Sequence, residues 1–230
     1  MSRCEVEKHM AVTRVKLCCM QNADEVAIAV QYGAAAVGLI AATPQVPQSL
    51  SEERITTIAS RIPPGVASFL ITIHQDVPSI IAQQRRCRVN TLQLVDRPLC
   101  GTYQELRTAL PGVHIVQVIH VTGEETLQEA QSIAPQVDGL VLDSGSRQGS
   151  YQERGATGRT HDWHISAQIC RAVALPVFLA GGLRPDNVAD AIRQVRPYGV
   201  DLCSGVRTHG QLDPAKVRAF FDAVHLADKT

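Results

Sequence analysis

The chain has 230 residues, 45% hydrophobic and 19% charged, with Lys plus Arg and Asp plus Glu balanced at 22 each. That composition supports a substantial core and excludes a disordered chain, and the zero net charge removes the global field that captures nucleic acid or an anionic membrane. Seven cysteines, at 4, 18, 19, 87, 100, 170 and 203, are odd in number and lack the paired spacing of a zinc site, which points to a reducing, cytoplasmic setting.

The start, MSRCEVEKHMAV, carries charges inside any candidate apolar region, and no segment approaches the ~18 apolar residues of a membrane span. Neither an export signal nor a transmembrane helix is expected. From there short β-rich apolar runs alternate with amphipathic stretches. A strand is expected at 14–19 (RVKLCC) and a helix at 22–33. The next pair is 35–40 and 51–62, where Ser51 ahead of Glu53 supplies a cap. Strand and helix then follow at 66–72 and 77–86, at 90–95 and 102–110, at 114–120 and 123–134, and at 139–144 and 164–173. The last two pairs are 176–181 with 185–195, where Pro185 opens the helix ahead of Asp186, and 199–204 with 213–224.

Eight βα units with no linker between them predict a single (β/α)8 TIM barrel over residues 14–230, preceded by a short extension at 1–13. A doubly wound open sheet would carry a Gly-rich turn after its first strand; here that turn reads CCMQNADE.

Barrel enzymes place their chemistry at the C-terminal ends of the strands. Those ends are Cys18, Ile40, Thr72, Val95, His120, Asp143, Gly181 and Ser204. Two of them carry obvious chemistry. Cys18 is a potential base or nucleophile, with Lys16 on the same strand face and Cys19 expected to point outward. Asp143 ends the apolar run GLVLD, where desolvation would raise a carboxyl toward the range of a general acid. The alternatives are a buried small hydrophobe for the cysteine and a turn or cap residue for the aspartate. LAGGLRPDN (179–187) and CSGVRTHG (203–210) bring glycines at 181, 182 and 205 that let backbone N–H groups approach a phosphate, with following helix N-termini adding to the site. His161 and His164 complete no recognisable ligand set, so no metal is expected. Residues 144–162 form a connection longer than the ~12–15 residues at which loops become functional or disordered.

The motifs together resemble the phosphoribosylanthranilate isomerase family over nearly the whole length. Its K-[IV]-C-G corresponds to KLCC, its GGTGKTFDW to GATGRTHDW at 155–163, its LAGGLxPxNV to LAGGLRPDNV, and its VDVSSGVE to VDLCSGVR. The resemblance implies Cys18 as general base, Asp143 as general acid, and an Amadori rearrangement of a phosphoribosyl aryl amine without cofactor or metal. It also implies a substrate phosphate on Gly181, Gly182, Ser204 and Gly205. A lid over the sugar phosphate would carry Gly155, Gly158 and Arg159, with Trp163 anchoring the next helix. The expected partner is a small phosphorylated sugar amine, not nucleic acid or membrane, and the chain is expected as a cytoplasmic monomer or homodimer.

Three departures change the charge map of the mouth. Gln48 stands where the family has an arginine facing the anthranilate carboxylate, Val95 and Asp96 replace His-Gly after the fourth strand, and Arg207 replaces a glutamate. Arg97, Arg159 and Arg207 are the candidates to meet that carboxylate instead. Two alternatives stay open: the same chemistry on an amine without the carboxylate, and a barrel that binds sugar phosphate without catalysis.

Overall fold

In the computed structural model, which describes residues 12–43, 48–145 and 160–229, eight parallel strands close on themselves in chain order. The elements run β1 (Arg14–Leu17), α1 (Ala23–Gln31), β2 (Ala36–Ile40), α2 (Glu52–Ala59), β3 (Ala67–Thr72), α3 (Val77–Cys87), β4 (Thr91–Leu94), α4 (Tyr103–Ala109), β5 (His114–His120) and α5 (Glu125–Ile133). They continue with β6 (Gly139–Asp143), α6 (Trp163–Ala172), β7 (Val177–Leu179), α7 (Val188–Val195) and β8 (Gly199–Leu202). A small hairpin of β9 (Arg207–Thr208) and β10 (Gln211–Leu212) precedes α8 (Pro214–Ala227). Closure comes from β1 pairing both β2 and β8, with Val15 opposite Val200 and Leu17 opposite Leu202.

Strand alternation sorts the apolar side chains into two layers. Val15, Leu17, Val37, Leu39, Leu70, Leu92, Leu140 and Leu179 point outward and pack under the helices as the main core. Ala36, Phe69, Val116, Val118, Val141, Phe178 and Ala180 fill the barrel itself. Phe69 and Phe178 meet edge-on at 6.0 Å there. Burying side chains of this size contributes about 1.5–3 kcal/mol each, so the barrel is a packed core rather than a pore.

Most helices begin where a short polar side chain takes up a free backbone N–H: Asn22, Ser51, Asp76, Thr102, Asp162 and Asp213 all do so. Each such cap is worth about 1 kcal/mol. Helix α7 departs from expectation. Pro185 lies in a turn and the helix starts only at Val188, because the Asn187 side chain accepts from Arg184 N at 2.8 Å and donates to Gly182 O at 3.0 Å. Those bonds hold 184–187 as a turn. At the start of the barrel, Thr13 donates its backbone N–H and hydroxyl to the Asp228 carboxylate, tying the chain before β1 to the end of α8.

Strand β1 is also shorter than the run RVKLCC suggests. Cys18 N still donates to Leu202 O, but Cys19 takes a left-handed backbone (φ 63°) and Met20 N turns to Gly38 O. Cys19 therefore does not point outward: it packs with Ile40, Ile71 and Val95 in the uppermost layer of the barrel interior. No helix among the described residues is long and apolar enough to cross a membrane.

Candidate active site

The floor of the mouth is an ion pair. Lys16 Nζ donates to Asp201 Oδ2 at 2.7 Å, with Lys16 fully buried and standing 5.0 Å over the Phe69 ring. Burial works to lower the Lys16 ammonium, but Asp201 foremost, with Cys18 and Cys19 adding, holds it above its usual value. Lys16 is two residues before Cys18, so both project to the inner face.

Above this pair lie three thiols. Cys18 is half-buried, and its Sγ occupies space left by Gly38, where a Cβ would stand only 3.0 Å from the sulfur. Cys19 Sγ is 3.7 Å from Cys18 Sγ. Cys203 joins the same apolar cluster. Hydrogen bonding to its thiol neighbours, with burial adding, pushes the Cys19 thiol well up. The hydrogen bond with Cys19, assisted by the Arg207 charge, draws Cys203 down against its burial. Neither extra thiol was anticipated as a neighbour of Cys18, because 184 to 185 residues of chain separate Cys203 from the first pair; only the left-handed turn at Cys19 brings its sulfur inside.

Asp143 ends β6, opposite His120 of β5 in the register. Removal from water is the main influence on its carboxyl and pushes it up to about 6; Asp201 adds to the rise, while the Ser144 N–H, donating to Oδ1 at 2.7 Å, and Lys16 oppose it. β6 is separated from β1 by β7 and β8 around the barrel, which sets Asp143 across the mouth from Cys18. A carboxyl poised near 6 can deliver a proton at neutral pH, and a cysteine across the opening can accept one in its thiolate form.

Between them the loops after β7 and β8 are pressed together. Gly181 has φ +84° and no room for a side chain, since a Cβ would sit 2.8 Å from Ser144 Oγ; Gly205 is tighter still, its Cβ position lying 2.0 Å from Leu183 O. Gly182 and Gly205 are partly exposed and Ser204 is open to solvent. Ser204–Val206 forms a single 3-10 turn followed by the β9–β10 hairpin, so the last helix begins only at Pro214, close to the expected 213. Glycine at 205 is required by close packing of the two loops.

The rim charges fall differently from the expectation. Arg207 is buried and forks onto Glu25, with Nη1 to Oε1 at 2.9 Å and Nη2 to Oε2 at 2.8 Å, so it is not available to a substrate carboxylate. Arg97 pairs with Glu129 at 3.2 Å. Arg159 lies outside the described residues, as do Gly155, Gly158 and most of 144–162. Gln48 is half-buried, and its carbonyl accepts from Gln21 Nε2 at 2.6 Å. Val95 closes the apolar layer around Cys19. Trp163 opens α6 and packs on the main core. His161 shares a 2.6 Å hydrogen bond with Ser166 Oγ, and burial pushes its ring down to about 4. Among the described residues no group of three or more His, Cys, Asp and Glu side chains is arranged to hold a metal ion.

A closed eight-unit barrel with a thiol, a carboxyl and paired glycine loops at the C-terminal ends of its strands is that of a (β/α)8-barrel enzyme. Residues 15–223 match the family described as N-(5'phosphoribosyl)anthranilate (PRA) isomerase. The isomerase of Haloferax volcanii is 37% identical over 218 residues, spanning 94% of this chain and 95% of that protein, and that of Methanocella arvoryzae is 32% identical over 216 residues, spanning 94% and 99%. The crystal structure of phosphoribosyl anthranilate isomerase from Thermotoga maritima superposes with a TM-score of 0.78 at 25% identity, covering 93% of this chain and 98% of that one. The chain belongs to the N-(5'-phosphoribosyl)anthranilate isomerase family, whose members are intramolecular aldose–ketose isomerases.

Proposed function

We propose that the chain catalyses the Amadori rearrangement of N-(5-phosphoribosyl)anthranilate to the 1-deoxyribulose 5-phosphate ketosamine, a step of tryptophan biosynthesis, in the cytoplasm. The observation that carries this reading is geometric: Cys18 follows β1 and Asp143 ends β6, three strand positions apart around one mouth, with the buried Lys16 ammonium between the two strands' inner faces and facing Asp201. Asp143, neutral below about 6, protonates the furanose ring oxygen and opens the sugar to an iminium. Cys18 as thiolate then removes the C2 proton, giving an enolamine that tautomerises to the ketone. General acid or base catalysis of this kind contributes about 10²–10⁴-fold for each group.

The phosphate rests on Gly181, Gly182, Ser204 and Gly205, in two loops whose glycines leave no room for side chains; backbone N–H groups there would supply binding energy remote from the reacting carbons. Gly155, Gly158 and Arg159 belong to the lid in this reading, and closing it excludes water from the iminium. The test follows the loss of substrate fluorescence on turnover. Cys18→Ala and Asp143→Asn should each abolish it, and robust turnover in both would remove this mechanism.

A second reading is favoured by Gln48 together with the engagement of Arg207 by Glu25 and of Arg97 by Glu129. In it the amine lacks the anthranilate carboxylate. Loss of a cationic partner from a desolvated carboxylate costs about 2–5 kcal/mol. Gln48→Arg should therefore improve kcat/KM for phosphoribosylanthranilate at least tenfold if the carboxylate binds beside residue 48. No improvement in an inert wild type would favour the other amine, and phosphate binding without any turnover would favour a sensor.

A further inference from the structure

Arg207 is among the most heavily engaged buried side chains of the mouth. Besides its fork onto Glu25, Nη1 donates to Gly210 O at 2.9 Å and Nη2 donates to Cys19 O at 2.6 Å. Glu25 in turn accepts from Gln21 N at 2.9 Å and from Leu212 N at 3.4 Å. Gln21 Nε2 closes the circuit, donating to Cys19 O at 3.2 Å and to Gln48 O. One guanidinium thus joins the loop after β8, which holds Gly205, to the loop after β1, which holds Cys18.

The bond to Cys19 O has a specific mechanical meaning. Cys19 is a non-glycine residue at φ 63°, a conformation that is strained for a residue with a Cβ. It adjoins Cys18, and nothing in its own side chain favours the left-handed basin. A charge-assisted hydrogen bond to a carbonyl is stronger than a neutral one, enough to hold that peptide in place. Released, Cys19 would relax toward ordinary φ and swing the adjoining thiol.

We infer that Arg207 is a positioning residue for the base: by gripping Cys19 O and Glu25 together it keeps the strained turn at Cys19 and so aims the Cys18 thiol at the substrate held by the neighbouring phosphate loop. The inference rests on the proposed role of Cys18, so its test has two readouts. Arg207→Met should lower kcat on phosphoribosylanthranilate by about 10–100-fold, the size expected when a reacting group moves by roughly 1 Å, while KM changes less than about threefold. It should also change the rate of Cys18 alkylation by iodoacetamide, read on the Cys18 peptide by mass spectrometry, by about fivefold or more. Adding Cys19→Gly to Arg207→Met should recover most of both, because glycine adopts φ near +63° without being held. A general loss of packing would not be reversed by removing a further side chain.

If Arg207→Met does not fold, Arg207→Lys carries the same expectation: an ammonium keeps the charge opposite Glu25 but lacks the planar fork that reaches Cys19 O as well. The inference is overturned by a folded variant whose kcat and alkylation rate both stay within twofold of wild type, or by losses that Cys19→Gly leaves untouched. Should the wild type fail to turn over phosphoribosylanthranilate, the function proposed above falls, and the alkylation series alone decides the role of Arg207.

Discussion

Lys16 and Asp201, 185 residues apart in the chain, form a buried ion pair directly beneath Cys18. Among the described residues Asp201 Oδ1 has no hydrogen-bond partner, so Lys16 is the group that offsets its charge. Lys16→Met should therefore strand a carboxylate in the barrel and cost about 3–5 kcal/mol, whereas Lys16→Met with Asp201→Leu should recover most of that loss. Urea unfolding of the three proteins measures it. A single variant no less stable than the wild type would mean that water reaches Asp201.

Asp143 makes a pH-dependent contribution of opposite sense to the usual carboxylate. Its folded value, about 6, lies above the ordinary 3.8. Below 3.8 the group is neutral folded and unfolded alike, and its folded environment carries no penalty. As pH rises from there to about 6 the unfolded chain releases the proton first, so stability falls, then levels off. The full loss is on the order of 3 kcal/mol. Asp143→Asn should remove that slope and be the more stable protein at pH 7.5 while losing activity. Chemical denaturation at a series of pH values from 4 to 8 checks it, and a slope unchanged in the variant would reject the assignment.

What could be read from the chain beforehand follows the range of the forces involved. β5 was expected at 114–120 and is found at His114–His120, because alternation of buried and filled faces is a local property of consecutive residues. β1 was expected to continue to Cys19 and stops at Leu17, because a left-handed residue leaves no mark when it is not glycine. The glycines at 181 and 205 announced close approach, but the atoms they approach, Ser144 and Leu183 O, could not be named. Arg207 looked like a free cation at the rim; its partner Glu25 is 182 residues away, beyond the reach of any pattern.

Gly38 gives a steric prediction. A Cβ there would lie 3.0 Å from Cys18 Sγ, 3.1 Å from Ile71 Cδ1 and 3.3 Å from Cys18 Cα. The sulfur is the atom best able to yield, since the others belong to backbone or packed core. Gly38→Ala should fold, losing about 1–3 kcal/mol from overpacking, and should lower kcat by roughly 10²-fold through displacement of the thiol. Alkylation of Cys18 should change in parallel. Unaltered kcat in this variant would show that Cys18 does not occupy its working position beside Gly38.

Two glycines separate strain from function at the phosphate loops. At Gly112 the backbone is left-handed (φ +82°) but, among the described residues and apart from its chain neighbours, no atom lies within 4 Å of an added Cβ; at Gly205 the Cβ would collide with Leu183 O at 2.0 Å. Gly112→Ala, on the turn between α4 and β5, should cost about 1 kcal/mol of stability by strain alone and leave KM unchanged. Gly205→Ala must instead push the loop after β8 away from the loop after β7, spreading the N–H groups proposed to hold the phosphate. Its KM, and the inhibition constant of inorganic phosphate, should both rise at least tenfold, about 1.4 kcal/mol of lost binding. If phosphate inhibits Gly205→Ala and Gly112→Ala equally well, the anion binds elsewhere on the rim and the glycines serve only to pack the two loops.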